Sequence, residues 1–436
     1  MKRYRILVCV ALGLAGPGLW APVDGRAGEP LRLEVRETAG LRRFAYPVSA
    51  EFPADWTAQD GDSLRLRDAE RTVPAQFTCL EPAQGERSAL WAADFSLDLA
   101  PLESRMLVIE HDPAGKPPPL QPGLQVERRA GALQVRSKLL SYVVPDDLQG
   151  LLRAMRVAGD DWIGPSAEGL VIGTRDGLRV PLRAPAEAGQ PDGWRVVKPG
   201  PLAVTLERRW TQPLDERRQL ACGVRLDIPL GKSWIRVDWS LDDPTDLVAS
   251  QSAAIRLRLD APARQPILAD VGAGGWTYAA LRPGETLVYR GGGGVAGQLE
   301  SHSADAAWRV ERASEGKIEP LAVSTVPLRS TVVPGWAHLS DAQRATAIAM
   351  HQFGSQADSM ELGADGRVGL ARAYALQAQA QGAPKQLRFW LHFVAAPAQW
   401  GAATSPQSML APPEVRVVAP ASETDGQRPQ SHAPGD

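Results

Sequence analysis

The feature that most constrains this chain is a period of two. Short runs alternate apolar and polar residues one for one, which places successive side chains on opposite faces of a strand. In Ser233–Leu241, Trp234, Arg236 and Asp238 face one way, while Ile235, Val237 and Trp239 face the other. "LLSYVVP", "RVVKPGPLAVTLERRW", "GVRLDIPLGKSWIRVDWSL" and "AAIRLRLD" continue the pattern. Gly, Pro and Asp turn chemistry punctuates them. Long helical periods are absent, and no internal repeat of solenoid length is visible. The pattern predicts an all-β protein of antiparallel sandwich sheets rather than βαβ units.

At 436 residues the chain can form two or three domains with a large buried core. Its 48 Lys and Arg nearly cancel its 50 Asp and Glu, and the charges are interleaved. No field therefore steers nucleic acid or acidic lipid toward it. Lys2, Arg3 and Arg5 precede the apolar run Ile6–Ala15, and Gly25 and Ala27 occupy the small positions before a cut. Residues 1–27 thus read as a signal peptide, which places the mature chain in the periplasm or outside the cell, with no membrane insertion after cleavage. Cys79 and Cys222 remain after cleavage. They are open to a disulfide or to two separate thiols, and nothing has zinc spacing. No metal or cofactor is expected.

Two composition shifts divide the chain. "DPAGKPPPLQPG" (Asp112–Gly123) is a connector through which no ladder can run, because proline lacks a donor. The final stretch is too polar to fold. The expected layout is a small β-barrel domain over 28–115, a large β-sandwich over 121–415 and a disordered tail over 416–436.

"GWAHLSDAQRATAIAMHQFG" (Gly335–Gly354) has two readings. Ser340 and Gln343 form a helix capping box with Gly354 as the stop. The alternative is a hairpin turning at Asp341–Arg344, with Trp336 opposite Ala349, His338 opposite Ala347 and Ser340 opposite Ala345. Thr346, Ile348 and the flanking runs favour the hairpin, since propensity yields to context. Trp336, His338, Ala345, Ala347, Ala349, His351 and Phe353 then share one face, and Leu339, Thr346, Ile348 and Met350 the core face. In Leu387–Val394, Arg388, Trp390 and His392 alternate with Leu387, Phe389, Leu391 and Phe393. If both polar faces line one sheet, Trp336, His338, His351, Arg388, Trp390 and His392 converge on a trough floored by alanines.

The layout resembles the secreted exo-rhamnogalacturonan lyase (YetA-like) family. "LRRFAYPVSAEFPADW", "LRLRDAERTVPAQF" and "GERSALWAADFSLDLAPLESRMLVIEHD" are similar to strands of its first domain. "LQVERRAGALQVRSKLLSYVVP", "GPLAVTLERRW", the Gly335–Gly354 segment and "APKQLRFWLHF" are similar to strands of its second. The resemblance implies a RIFT-type β-barrel followed by a galactose-mutarotase-like supersandwich. "SAEFPADW" and "GERSALW" depart from the family's turn motifs. Full-length members also continue into a helical catalytic barrel where this chain ends. The resemblance therefore assigns no catalytic residue, and it leaves room for a separately encoded catalytic partner.

Three functions fit the sequence. In the first, Trp336, His338, His351, Arg388, Trp390 and His392 bind a polysaccharide or oligosaccharide, pectin-like among the options, because indole faces stack on sugar C–H groups. In the second, a polysaccharide lyase acts on uronic-acid-containing glycans. It would use His338, His351 or His392 as base, with Arg388 holding the developing negative charge. The third is a surface module that binds another protein. "WSLDDPTD" supplies Asp242, Asp243 and Asp246 but reads as a turn. Asp94 reads as an exposed strand residue.

Overall fold

A computed structural model describes residues 30–85, 87–112, 123–164, 169–184, 193–259, 267–272, 277–292, 308–323, 335–341, 343–375, 384–395 and 406–418. The expected leader and cleavage point, most of the proline-rich connector and residues 419–436 lie outside these.

The protein is all-β, as the alternation requires, and every strand pairing among the described residues is antiparallel. A nine-stranded sheet and an eight-stranded sheet form a sandwich. Their inward side chains share one core, with Val224, Ile235, Val237, Trp239, Phe389 and Phe393 from the first and Tyr289, Met360 and Leu370 from the second. A five-stranded sheet over Gln125–Arg129 to Asp160–Asp161 adds Val135, Tyr142 and Met155 to that core. The expected alternation of Ser233–Leu241 is observed: Ile235, Val237 and Trp239 are buried in it.

The small body has a five-stranded and a three-stranded sheet around Leu33, Val48, Phe52, Trp91, Phe95 and Ile109. It is not formed by the N-terminal segment alone. The strand Glu414–Val418 pairs with Leu31–Arg36, and Val415 and Val417 pack on the small core. The boundary at 415 and the tail from 416 are corrected accordingly, since Arg416, Val417 and Val418 are strand. Two valines at period two suffice to anchor this short segment where a sheet edge awaits it.

The hairpin reading holds. Trp336–Ser340 pairs with Arg344–Met350 in the expected register: Trp336 with Ala349, His338 with Ala347, Ser340 with Ala345. The Asp341 carboxylate accepts from the Gln343 and Arg344 amides and so closes the turn. Leu339, Thr346, Ile348 and Met350 are fully buried. Phe353 is a correction. The strand stops at Met350, Gln352 takes a positive φ of 53°, and the chain swings Phe353 into the core, 4.6 Å from the Tyr289 ring.

Candidate functional site

Three rows of side chains cross the outer face of the nine-stranded sheet. The first is Arg195, Glu207, Arg225, Asp238 and Arg388, one residue from each of five neighbouring strands with alternating sign. The second is Lys198, Thr205, Asp227, Arg236, Trp390, Ala349 and Trp336. The third is Trp234, His392, Ala347, His338, Asp270 and Tyr278. The two ribbons are therefore neighbours in one sheet, with Trp390 opposite Ala349 and His392 opposite Ala347.

The middle of this face is closed. Trp234, Ala347, Ala349 and Trp390 belong to the core of the small body, together with Met409 from the short helix Pro406–Leu410. The room left by the alanines is thus filled by this chain's own C-terminal segment. Arg43 and the Tyr46 hydroxyl pin that segment by donating to the Ser408 carbonyl at 2.9 and 2.8 Å. His392 is 2% exposed, edge-on to Trp234 with centroids 5.9 Å apart. Burial, with the charges of His338 and Lys232 added, lowers its pKa to about 3. It is a neutral core histidine, unable to reach solvent as a base.

Two ends of the face stay accessible. At one, Glu207, Arg209, Arg225, Asp238, Ser240 and Arg388 surround Gly223, whose missing side chain leaves a floor, and the groove holds about 440 Å³ including its mouth. Arg209 pairs with Glu207 at 2.5 Å, Arg225 leans on Asp227 at 3.3 Å, and Arg388 meets Asp238 through Nε. Among the described residues only that nitrogen of Arg388 is engaged. The His351 amide bonds the Arg388 carbonyl, and its ring lies 6.5 Å from Trp390. Burial first, then Arg388 and Arg372, lowers the His351 pKa and keeps the imidazole neutral. At the other end stand Trp336 and His338, with ring centroids 5.2 Å apart.

The six expected residues therefore divide. Arg388 lines the groove and His351 adjoins it through its amide, Trp336 and His338 lie at the far margin, and Trp390 and His392 form the buried wall between. The sequence reading missed Glu207, Arg209, Gly223 and Arg225. Their signal was the period of two in "LAVTLERRW" and "GVRLDIP", which puts Glu207 and Arg209 on one face of the first strand and Gly223, Arg225 and Asp227 on one face of the second.

A network of charges joins this face to the small body. Lys198, 2% exposed, holds Asp94 and Ser49 at 2.8 Å each. Asp94 is thus buried and paired, contrary to the exposed position expected of it. Burial alone would raise the Asp227 carboxyl, but Arg236, Arg225 and Lys198 hold it well below the usual carboxylate range. Gln76 bonds the Leu202 and Ala203 amides across the same seam.

The aspartates of "WSLDDPTD" form a turn. Asp243 accepts the Leu247 and Val248 amides, and Lys385 and Arg175 hold Asp246. Cys79 and Cys222 are both free thiols. Among the described residues no group of three or more His, Cys, Asp or Glu is placed to hold a metal, and no helix is long and apolar enough to cross a membrane.

No family model matches the chain, and no curated protein does. Among solved structures it is similar to an alpha-mannosidase from Enterococcus faecalis V583, at 10% identity and a TM-score of 0.48. That match covers 89% of this chain and 46% of the mannosidase, so the chain spans under half that protein's length. It is also similar to a galactose mutarotase-like protein from Lactobacillus casei ATCC 334, at 11% identity and a TM-score of 0.34, over 60% of this chain and 100% of that one. A putative aldose 1-epimerase from Escherichia coli K12 matches at 10% identity and a TM-score of 0.29, over 62% and 99%. Identities near one residue in ten and scores below one half establish no activity or ligand for this chain.

Proposed function

We propose that this is an exported, carbohydrate-associated protein that binds an acidic oligosaccharide or polysaccharide in the Gly223 groove. The observation that carries the reading is the ring of Arg209, Arg225 and Arg388 around a floor without a side chain. Guanidinium forks match carboxylates in plane and in spacing, and Ser240 and Gln386 add the donors and acceptors that hydroxyls require. A flat sugar ring can lie on Gly223 where any larger residue would lift it off. The readings of the sandwich as galactose-mutarotase-like and of the small body as a RIFT-type barrel rest on the sequence resemblance and belong to the same proposal.

The test is calorimetric titration with oligogalacturonate and with its uncharged methyl ester. The acid is expected to bind and the ester to bind at least about tenfold more weakly, the worth of one charge-assisted hydrogen bond. Arg209→Ala should weaken acid binding by about the same factor. Gly223→Leu should abolish it while leaving the fold intact, with the Ser240 hydroxyl turning aside. Equal binding of acid and ester, or full binding by Gly223→Leu, would remove the groove from the account.

A catalytic reading has one observation in its favour. His351 is a neutral imidazole beside Arg388, the pairing that β-elimination from a uronate uses as base and charge stabiliser. Ultraviolet-absorbing unsaturated product, released by the wild type and lost in His351→Ala, would select lyase over binding protein.

A further inference from the structure

We infer that the far margin of the same sheet face is a second, independent saccharide site, for an uncharged sugar. Asp270 and His338 stand directly opposite each other on adjacent strands, with Asp270 Oδ1 3.2 Å from His338 Nδ1. A carboxylate on Nδ1 keeps the proton there and leaves Nε2 as an acceptor. Both side chains are partly exposed. The free lone pairs of Asp270 and the Nε2 of His338 are thus two neighbouring acceptors, the complement of a vicinal diol that donates two O–H bonds.

Two aromatic side chains adjoin this pair. Tyr278 pairs directly with Asp270 from the edge strand and is 70% exposed, the most open of the large exposed apolar and aromatic side chains among the described residues. Trp336 stands two residues before His338 on the same strand and the same face, with its ring centroid 5.2 Å from the His338 ring. Its place is fixed from below, since a Cβ at Gly272 would stand only 2.3 Å from the indole. A rigid aromatic platform beside paired acceptors is what a pyranose requires: C–H groups against the ring and hydroxyls toward the polar pair. The partly exposed Asp270 carboxylate repels an acidic sugar, so the class differs from that of the arginine groove. The buried wall of Trp234, His392 and Trp390 separates the two sites.

The experiment titrates the full mature chain with three uncharged probes: cellohexaose, mannohexaose and galactohexaose. At least one should bind. Tyr278→Ala and Asp270→Asn should each weaken that binding about tenfold, the value of one stacking or hydrogen-bonding partner. Arg388→Ala should leave it unchanged. Circular dichroism of each variant reports the fold, and Tyr278, on an exposed edge strand, can be removed without opening the core. Failure of all three probes to bind overturns the inference. So does binding that survives Tyr278→Ala, or binding that is lost in Arg388→Ala. The oligogalacturonate titration is read separately, so either site can fail alone.

Discussion

His392 carries a pH limit in its own side chain. Its folded pKa of about 3 lies far below the ordinary histidine value of 6.5. Between those values the unfolded chain binds a proton that the folded chain refuses, so stability is full above pH 6.5 and falls as pH drops through the window. At about 1.4 kcal/mol per pH unit, the loss by pH 5 is about 2 kcal/mol. His351, also lowered, adds to it in the same direction. Carboxylates act lower down: Glu37, held at about 2 against an ordinary 4.5, withdraws its contribution only as pH falls through that range. Urea midpoints measured above pH 6.5 and near pH 5 should therefore converge in His392→Leu more than in His338→Ala. Equal pH sensitivity of the two variants would show that the buried imidazole does not set the limit.

At the scale of elements, the Pro406–Val418 segment is a strap. Its helix has five residues, far too few to be stable alone. It is held by Arg43 and Tyr46 on its carbonyls, by Met409 at 1% exposure, and by the strand that follows. Met409→Ala removes a fully buried side chain and should cost about 2–4 kcal/mol in chemical unfolding. A cost under about half a kcal/mol would mean that the trough under Met409 closes without it. The strap also shows what the sequence could and could not reveal. The hairpin at 336–350 was legible to the single residue, because period two and one Asp turn fix both register and faces. That Trp336, His338, Trp390 and His392 would share a sheet face was legible for the same reason. What lay over that face was not. Alanines opposite indoles look the same in sequence whether a sugar or a methionine sixty residues later fills the space. Phe353 escaped because a single left-handed residue, Gln352, breaks the alternation. The arginine groove was hidden differently, since its residues come from four strands spread between positions 207 and 388.

At the scale of the molecule, the small body and the sandwich are joined by charge as well as by apolar surface. Lys198 reaches from the edge of the nine-stranded sheet to Asp94, and both are desolvated. Glu51 of the small body lies 3.8 Å from Arg225, which also lines the groove. Removing one member of a buried pair strands the other, which costs about 3–5 kcal/mol, whereas replacing both with apolar groups is often nearly neutral. Lys198→Met should therefore destabilise strongly, and Lys198→Met combined with Asp94→Leu should recover most of the loss. Urea unfolding followed by tryptophan fluorescence reads both. The pair also bears on the groove. Lys198 is one of three cations around Asp227, and Asp227 holds Arg225 in place. Loss of Lys198 thus leaves Asp227 drawing harder on Arg225, away from the ligand, and oligogalacturonate affinity should fall severalfold in the folded double variant although its stability is restored. Additive single-variant losses, or an unchanged affinity in the double variant, would separate the joining of the two bodies from the chemistry of the groove.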